Sequence, residues 1–114
     1  MRFKGDCMAS DVMSNIESEV KKNKIMIYMK GTKDAPQCGF SAAVVDVFKA
    51  LGESFETRDV LADNELREGI KKYSNWPTVP QVYIGGKFIG GCDIIRELYQ
   101  TGELQKLVQE AITQ

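Results

Sequence analysis

The segment Lys24-Ile25-Met26-Ile27-Tyr28-Met29-Lys30 decides the fold. Five consecutive apolar residues between lysines, with no polar alternation, are what a strand needs when helices cover both of its faces. Such a strand is central to its sheet, and the chain on either side has to supply the cover. Downstream, Gly31 to Gln37 is a polar loop carrying Pro36, after which Val44, Val47, Phe48 and Leu51 recur at i, i+3, i+4 and i+7. That spacing predicts a helix with one buried stripe, stopped by Gly52. Phe55 to Val60 reads as a second strand, and Asp63 or Asn64 caps a short helix carrying Leu66, Ile70 and Tyr73.

Farther along, Pro80 to Ile84 and Lys87 to Ile89 are short strands joined by Gly85-Gly86, a pair suited to the positive φ angles of a two-residue hairpin turn. Asp93 caps a helix through Tyr99, Gly102 ends it, and Leu104, Leu107, Val108, Ala111 and Ile112 mark a last amphipathic helix. Upstream, Ser10 or Asp11 caps a first helix with Val12, Ile16 and Val20 on one stripe and Lys21 and Lys22 at its end. The expectation is a flexible N-terminal extension over residues 1–10 and one domain over 11–114. The element order suits an α/β, thioredoxin-like layout: a four-stranded mixed sheet flanked by helices on both faces.

Composition narrows the chemistry. A chain of 114 residues, 43% hydrophobic, has material for one core. Fifteen basic and sixteen acidic residues leave a formal charge of -1, with no net field to draw nucleic acid or anionic lipid. No stretch approaches the roughly 20 apolar residues of a membrane helix. Neither a secretory signal nor an Arg-rich transit segment is evident at the start, so a cytoplasmic location is expected, with an organellar matrix after removal of a targeting segment as the alternative. Three widely spaced cysteines, Cys7, Cys38 and Cys92, argue against a disulfide scaffold. The absence of histidine excludes a Cys-His pair and a histidine base.

Cys38 stands where loop becomes helix. A thiolate there gains from the positive end of the helix dipole and from unpaired N–H groups, and Lys30, ending the first strand, adds a cation. An isolated cysteine is commonly a small buried apolar residue, but the Pro36-Gln37-Cys38-Gly39 junction favours a working thiol. Gly39 allows close approach of a ligand, Phe40 can exclude water, and Ser41 stands three residues on, where a C-x-x-C enzyme holds its resolving thiol. A hydroxyl cannot resolve a disulfide. Cys38 therefore stops at a mixed disulfide or serves as a metal ligand, unless Cys92 folds beside it.

Four blocks together resemble a monothiol glutaredoxin of the Cys-Gly-Phe-Ser class: Lys30-Gly31-Thr32, Pro36-Gln37-Cys38-Gly39-Phe40-Ser41, Trp76-Pro77-Thr78-Val79-Pro80 and Gly90-Gly91-Cys92-Asp93. The resemblance runs from about Val12 to Val108. It implies a cis peptide bond at Val79-Pro80 and a glutathione site. In that site Lys30 and Arg67, with Lys71 assisting, face the glycyl carboxylate, and Val79 pairs through its backbone. Cys92 and Asp93 receive the γ-glutamyl end, with Phe40, Thr78, Pro80 and Gly91 completing the contacts. Arg67 and Lys71, one helical turn apart, also read as a solvated face, Asp93 as a helix cap, and Trp76 as a packing residue.

A 2Fe-2S cluster usually takes four thiolates, and one chain has a single well-placed cysteine for it. The resemblance implies a homodimer in which two Cys38 residues and two glutathione thiols hold the cluster, for carriage or transfer to apo iron-sulfur proteins and iron homeostasis. A BolA-like protein is a further candidate partner. The competing expectation is an at most weak glutathione-dependent oxidoreductase acting on protein-glutathione mixed disulfides through Cys38.

Overall fold

The computed structural model describes residues 4–113, with side chains described from Val12 onward. Residues 1–3 of the expected extension, and the side chain of Cys7, lie outside that description. The central run folds as β1 (Ile25–Met29), buried at all five positions. Its side chains alternate between two cores. Ile25, Ile27 and Met29 face one side with Val44, Val45, Phe48, Ile95, Leu104 and Val108. Met26 and Tyr28 face the other with Ile16, Val20, Leu66, Ile70 and Tyr83.

Those cores are supplied by helices on both faces. The stripe on α1 (Lys4–Lys22) and Leu66 and Ile70 on α3 (Asn64–Ser74) cover one. The other is covered by α2 (Gly39–Leu51), α4 (Cys92–Thr101) and α5 (Glu103–Thr113). The remaining strands are β2 (Glu56–Asp59), β3 (Gln81–Ile84) and β4 (Lys87–Gly90), in the sheet order β2-β1-β3-β4. β1 pairs parallel with β2 and antiparallel with β3, and β3 pairs antiparallel with β4. The fold is the thioredoxin-like mixed sheet read from the sequence. No helix among the described residues is long and apolar enough to cross a membrane.

Local signals account for most boundaries. Gly52 ends α2 in the left-handed region, and the Asp63 carboxylate caps α3 by accepting from the Leu66 N–H at 3.1 Å. Gly85 and Gly86 both take positive φ, as the hairpin requires. Two caps differ from the sequence reading. α1 starts at Lys4 rather than after Ser10 or Asp11, because Met8 and Ala9 favour helix, no proline interrupts residues 4–11, and Gly5, the one glycine there, stands in the first turn. α4 starts at Cys92 with Gly91 as its cap, which puts Asp93 in the first turn, where its charge still complements the dipole.

Three side chains bind α1 to the sheet. The Tyr28 hydroxyl donates to Glu19 at 2.7 Å, and Arg58 of β2 donates to the other oxygen of that carboxylate at 2.6 Å. Burial and the Glu19 contact push the Tyr28 phenol far above its ordinary value, so it remains a donor.

Candidate functional site

A groove of about 480 Å³ opens where the carboxyl end of β1, the amino end of α2, the segment before β3 and the amino end of α4 converge. Cys38 is half-buried at its edge as the N-cap of α2, with extended backbone angles. It makes no side-chain cap hydrogen bond as a thiol, but the N–H of Ser41, opposed by partial burial and then aided by the N–H of Phe40 and the charge of Lys30, draws its pKa below the ordinary value. These are the N2 and N3 donors that a capping side chain meets.

The loop before Cys38 is shaped by hydrogen bonds at both ends. Gly31 N–H donates to the Asp59 carboxylate at 2.9 Å, and Gln37 N–H to the Lys30 carbonyl at 2.9 Å. Within the loop, Ala35 N–H donates to the Thr32 carbonyl at 3.1 Å. Gly31 has φ +89°, and a Cβ on it would lie 2.6 Å from the Ala35 carbonyl oxygen and the Gln37 nitrogen, so no larger residue fits this crossing. Lys33 reaches outward to donate to the Phe55 carbonyl at 3.1 Å, which ties the loop to the approach to β2. Ser41 is fully buried, and its hydroxyl accepts from the Lys30 N–H at 3.2 Å, joining the first turn of α2 to the end of β1.

The opposite walls carry different chemistry. Arg67 and Lys71 come from one face of α3; Lys71 meets Glu68 at 3.6 Å, whereas Arg67 and Lys30 have no ion pair among the described residues. Val79 precedes a cis bond to Pro80, and its N–H and carbonyl have no hydrogen-bond partner among the described residues. Gly91, Cys92 and Asp93 present the first turn of α4, whose N–H groups are free as at any helix start. Cys92 is buried, which pushes its thiol pKa up despite the nearby Arg96.

All the site residues read from the sequence, Lys30, Cys38, Phe40, Arg67, Lys71, Thr78, Val79, Pro80, Gly91, Cys92 and Asp93, line this one groove. Trp76 lines it as well and also packs on Phe88, ring centroids 5.8 Å apart, so it serves both purposes. Pro77 and Ile94 were not singled out from the sequence. Pro77 sits inside a block already recognised, and Ile94 follows Asp93 on the exposed side of α4, a position that apolar periodicity does not flag. Phe40 is 61% exposed and Ile94 38%, so the mouth of the groove has an apolar rim.

Comparison with known proteins points to one family. The family model described as Glutaredoxin matches residues 25–89. An uncharacterized monothiol glutaredoxin from Synechocystis is 56% identical over 105 residues, covering 92% of this chain and 98% of its own length. The chloroplastic monothiol glutaredoxin-S7 of rice is 48% identical over 108 residues, which is 95% of this chain and 64% of that protein. Among solved structures, reduced poplar apo GrxS14 superposes with a TM-score of 0.83 at 46% identity, covering 94% of this chain and 98% of the other.

Proposed function

The chain belongs to the glutaredoxin family, among its monothiol members, and we propose that its groove binds glutathione and that Cys38, with a second copy of the chain, carries a 2Fe-2S cluster. The observation that carries this reading is the state of the two groove thiols. Cys38 is accessible and its thiolate favoured, while Cys92 is buried and kept protonated. Among the described residues no group of three or more Cys, Asp or Glu side chains is arranged to hold a metal. Two Cys38 sulfurs and two glutathione thiols would complete a four-thiolate centre, as the family resemblance implies. Ligands that exchange so readily suit delivery of the cluster rather than permanent retention.

Charge supports the pose of glutathione. Among the described residues Lys30 and Arg67 lack carboxylate partners, and they would take the glycyl carboxylate, with Lys71 assisting. Val79 would pair through its free N–H and carbonyl with the peptide-like middle. The first turn of α4 would receive the γ-glutamyl carboxylate and Asp93 its ammonium group. Phe40 and Trp76 would shield the sulfur from water. A cluster held by Cys38 would supply labile iron and sulfide. The chain's own part is to keep the thiolate ionised and the glutathione thiol beside it. Recipients would be apo iron-sulfur proteins, and a BolA-like protein could replace one protomer. The chloroplastic relative supports an organellar setting alongside the cytoplasmic one.

A second reading uses the same pocket. The Cys38 thiolate would attack the glutathione sulfur of a mixed disulfide and release the substrate thiolate. A second glutathione thiolate would then regenerate Cys38 and leave as oxidised glutathione. The accessible, acidified thiol favours it; the engaged Ser41 hydroxyl offers no internal resolution.

Anaerobic addition of iron, sulfide and glutathione should give a coloured dimer that Cys38→Ser does not form. A normal cluster in that variant would sink the ligand assignment. Turnover of a glutathione mixed disulfide should be slow, and rates like those of a dithiol glutaredoxin would reverse the ranking.

A further inference from the structure

Two polar side chains are fully buried among the described residues, Ser41 and Gln81, and each stands behind one wall of the groove. Ser41 serves the Cys38 wall. Gln81, the first residue of β3, is fully buried with all its polar atoms engaged. Its Nε2 donates to the Trp76 carbonyl and to the Thr78 carbonyl, each at 3.1 Å. Its Oε1 accepts from the Tyr83 hydroxyl at 3.2 Å. The orientation of the amide follows from these partners, since two carbonyls can only accept and need the two N–H groups of one nitrogen.

We propose that Gln81 is the positioning residue of the site: its amide clamps the main chain at Trp76 and Thr78 and so presents the unpartnered Val79 N–H and carbonyl to the ligand. Among the described residues, the other main-chain hydrogen bonds hold only the start of the segment. It leaves α3 through Asn75 in the left-handed region, and Trp76 N–H is anchored to the Ser74 hydroxyl at 3.1 Å and the Lys71 carbonyl at 3.2 Å. From there to β3, the Gln81 amide supplies the hydrogen bonds that hold carbonyls 76 and 78, the residues flanking Pro77. Glutamate has the same shape but would set acceptor against acceptor. Methionine fills the volume and donates nothing. The inference rests on the glutathione reading above, because the clamp matters only if Val79 pairs with a ligand.

Reduced glutathione is titrated calorimetrically into the unsubstituted chain, Gln81→Met and Gln81→Glu. Loss of two donors that align the pairing edge should weaken binding about tenfold in both variants. The Cys38 thiol titration should not move, which separates a lost clamp from a damaged active thiol. Trp76 is the sole tryptophan, so its emission should shift to the red in both variants even without ligand. Tyr83→Phe leaves both clamp bonds in place and should keep affinity within about twofold. Without any substitution, the Gln81 side-chain N–H resonances should exchange slowly and shift as glutathione saturates the chain. Unchanged affinity and emission in the variants, or Gln81 resonances indifferent to glutathione that binds, would overturn the proposal. An unsubstituted chain that binds no glutathione would instead overturn the reading it rests on, with Trp76 emission still deciding the clamp.

Discussion

Cys38 and Cys92 line one groove and each sits at the start of a helix, yet they are opposite thiols. Cys38 occupies the cap position itself, still in extended conformation, where the N–H groups of Ser41 and Phe40 converge on its sulfur and solvent reaches it. Cys92 lies one residue inside its helix, behind the cap Gly91, and is buried beside the negative charge of Asp93. Burial of the sulfur disfavours the thiolate more than Arg96, through its charge and hydrogen bond, favours it. A helix start therefore activates a thiol when the sulfur takes the cap position and keeps contact with water.

The strongest way to break the comparison is chemical labelling. At neutral pH the alkylation rate of Cys38 should exceed that of Cys92 at least about tenfold, since thiolate fraction and access act together. Mass mapping of early-labelled peptides would reveal equal rates if the two thiols were alike. In Cys38→Ser the early-labelled Cys38 peptide should vanish while the Cys92 peptide keeps its slow rate.

Removing a support sharpens it further. Ser41→Ala leaves the Lys30 N–H without its acceptor and should cost about 1–2 kcal/mol in urea unfolding. It should also raise the Cys38 pKa, because the Ser41 hydroxyl contributes to holding it low. Lys30→Gln should raise that pKa less than loosening the α2 amino end does, as the lysine charge ranks behind the main-chain N–H groups. Ultraviolet thiolate absorbance against pH measures both.

The smallest effect is in stability against pH, where the two cysteines should pull in opposite directions. Folding lowers the Cys38 pKa below its ordinary 9.0, so the unfolded chain holds that proton longer. Its contribution is complete above 9.0 and disappears as pH falls through the folded value. Folding raises the Cys92 pKa above 9.0, so its contribution is complete below 9.0 and is lost as pH rises through the folded value. Unfolding midpoints of Cys38→Ser and Cys92→Ser across that range should therefore diverge from the unsubstituted chain with opposite slopes. Parallel curves would mean that the two environments do not differ.

Much of this arrangement was legible from residue order. The β1 run, the α2 stripe ended by Gly52, the Asp63 cap and the Gly85-Gly86 turn are decided within a few residues of themselves, and each stands where its pattern put it. Helix starts were less legible. Ser10 and Asp11 are good caps, but α1 runs through them because a cap preference of about 1 kcal/mol yields when the residues before it also favour helix. Gln81 gave no signal at all, since a polar residue at the head of a strand reads as a boundary. Its role exists only through carbonyls three and five residues earlier that fold back over it.

The sequence by itself determined the layout of sheet and helices, the cap position of Cys38 and the lack of a thiol three residues after it, because these depend on periodicity, capping chemistry and counting. Tertiary structure alone decided that Cys92 is buried while Cys38 is accessible, that the loop after β1 is tied to Asp59, and that Gln81 stands behind Val79. Each of these compares environments assembled from distant parts of the chain, and burial, charge and hydrogen bonding take their values only once those parts have met.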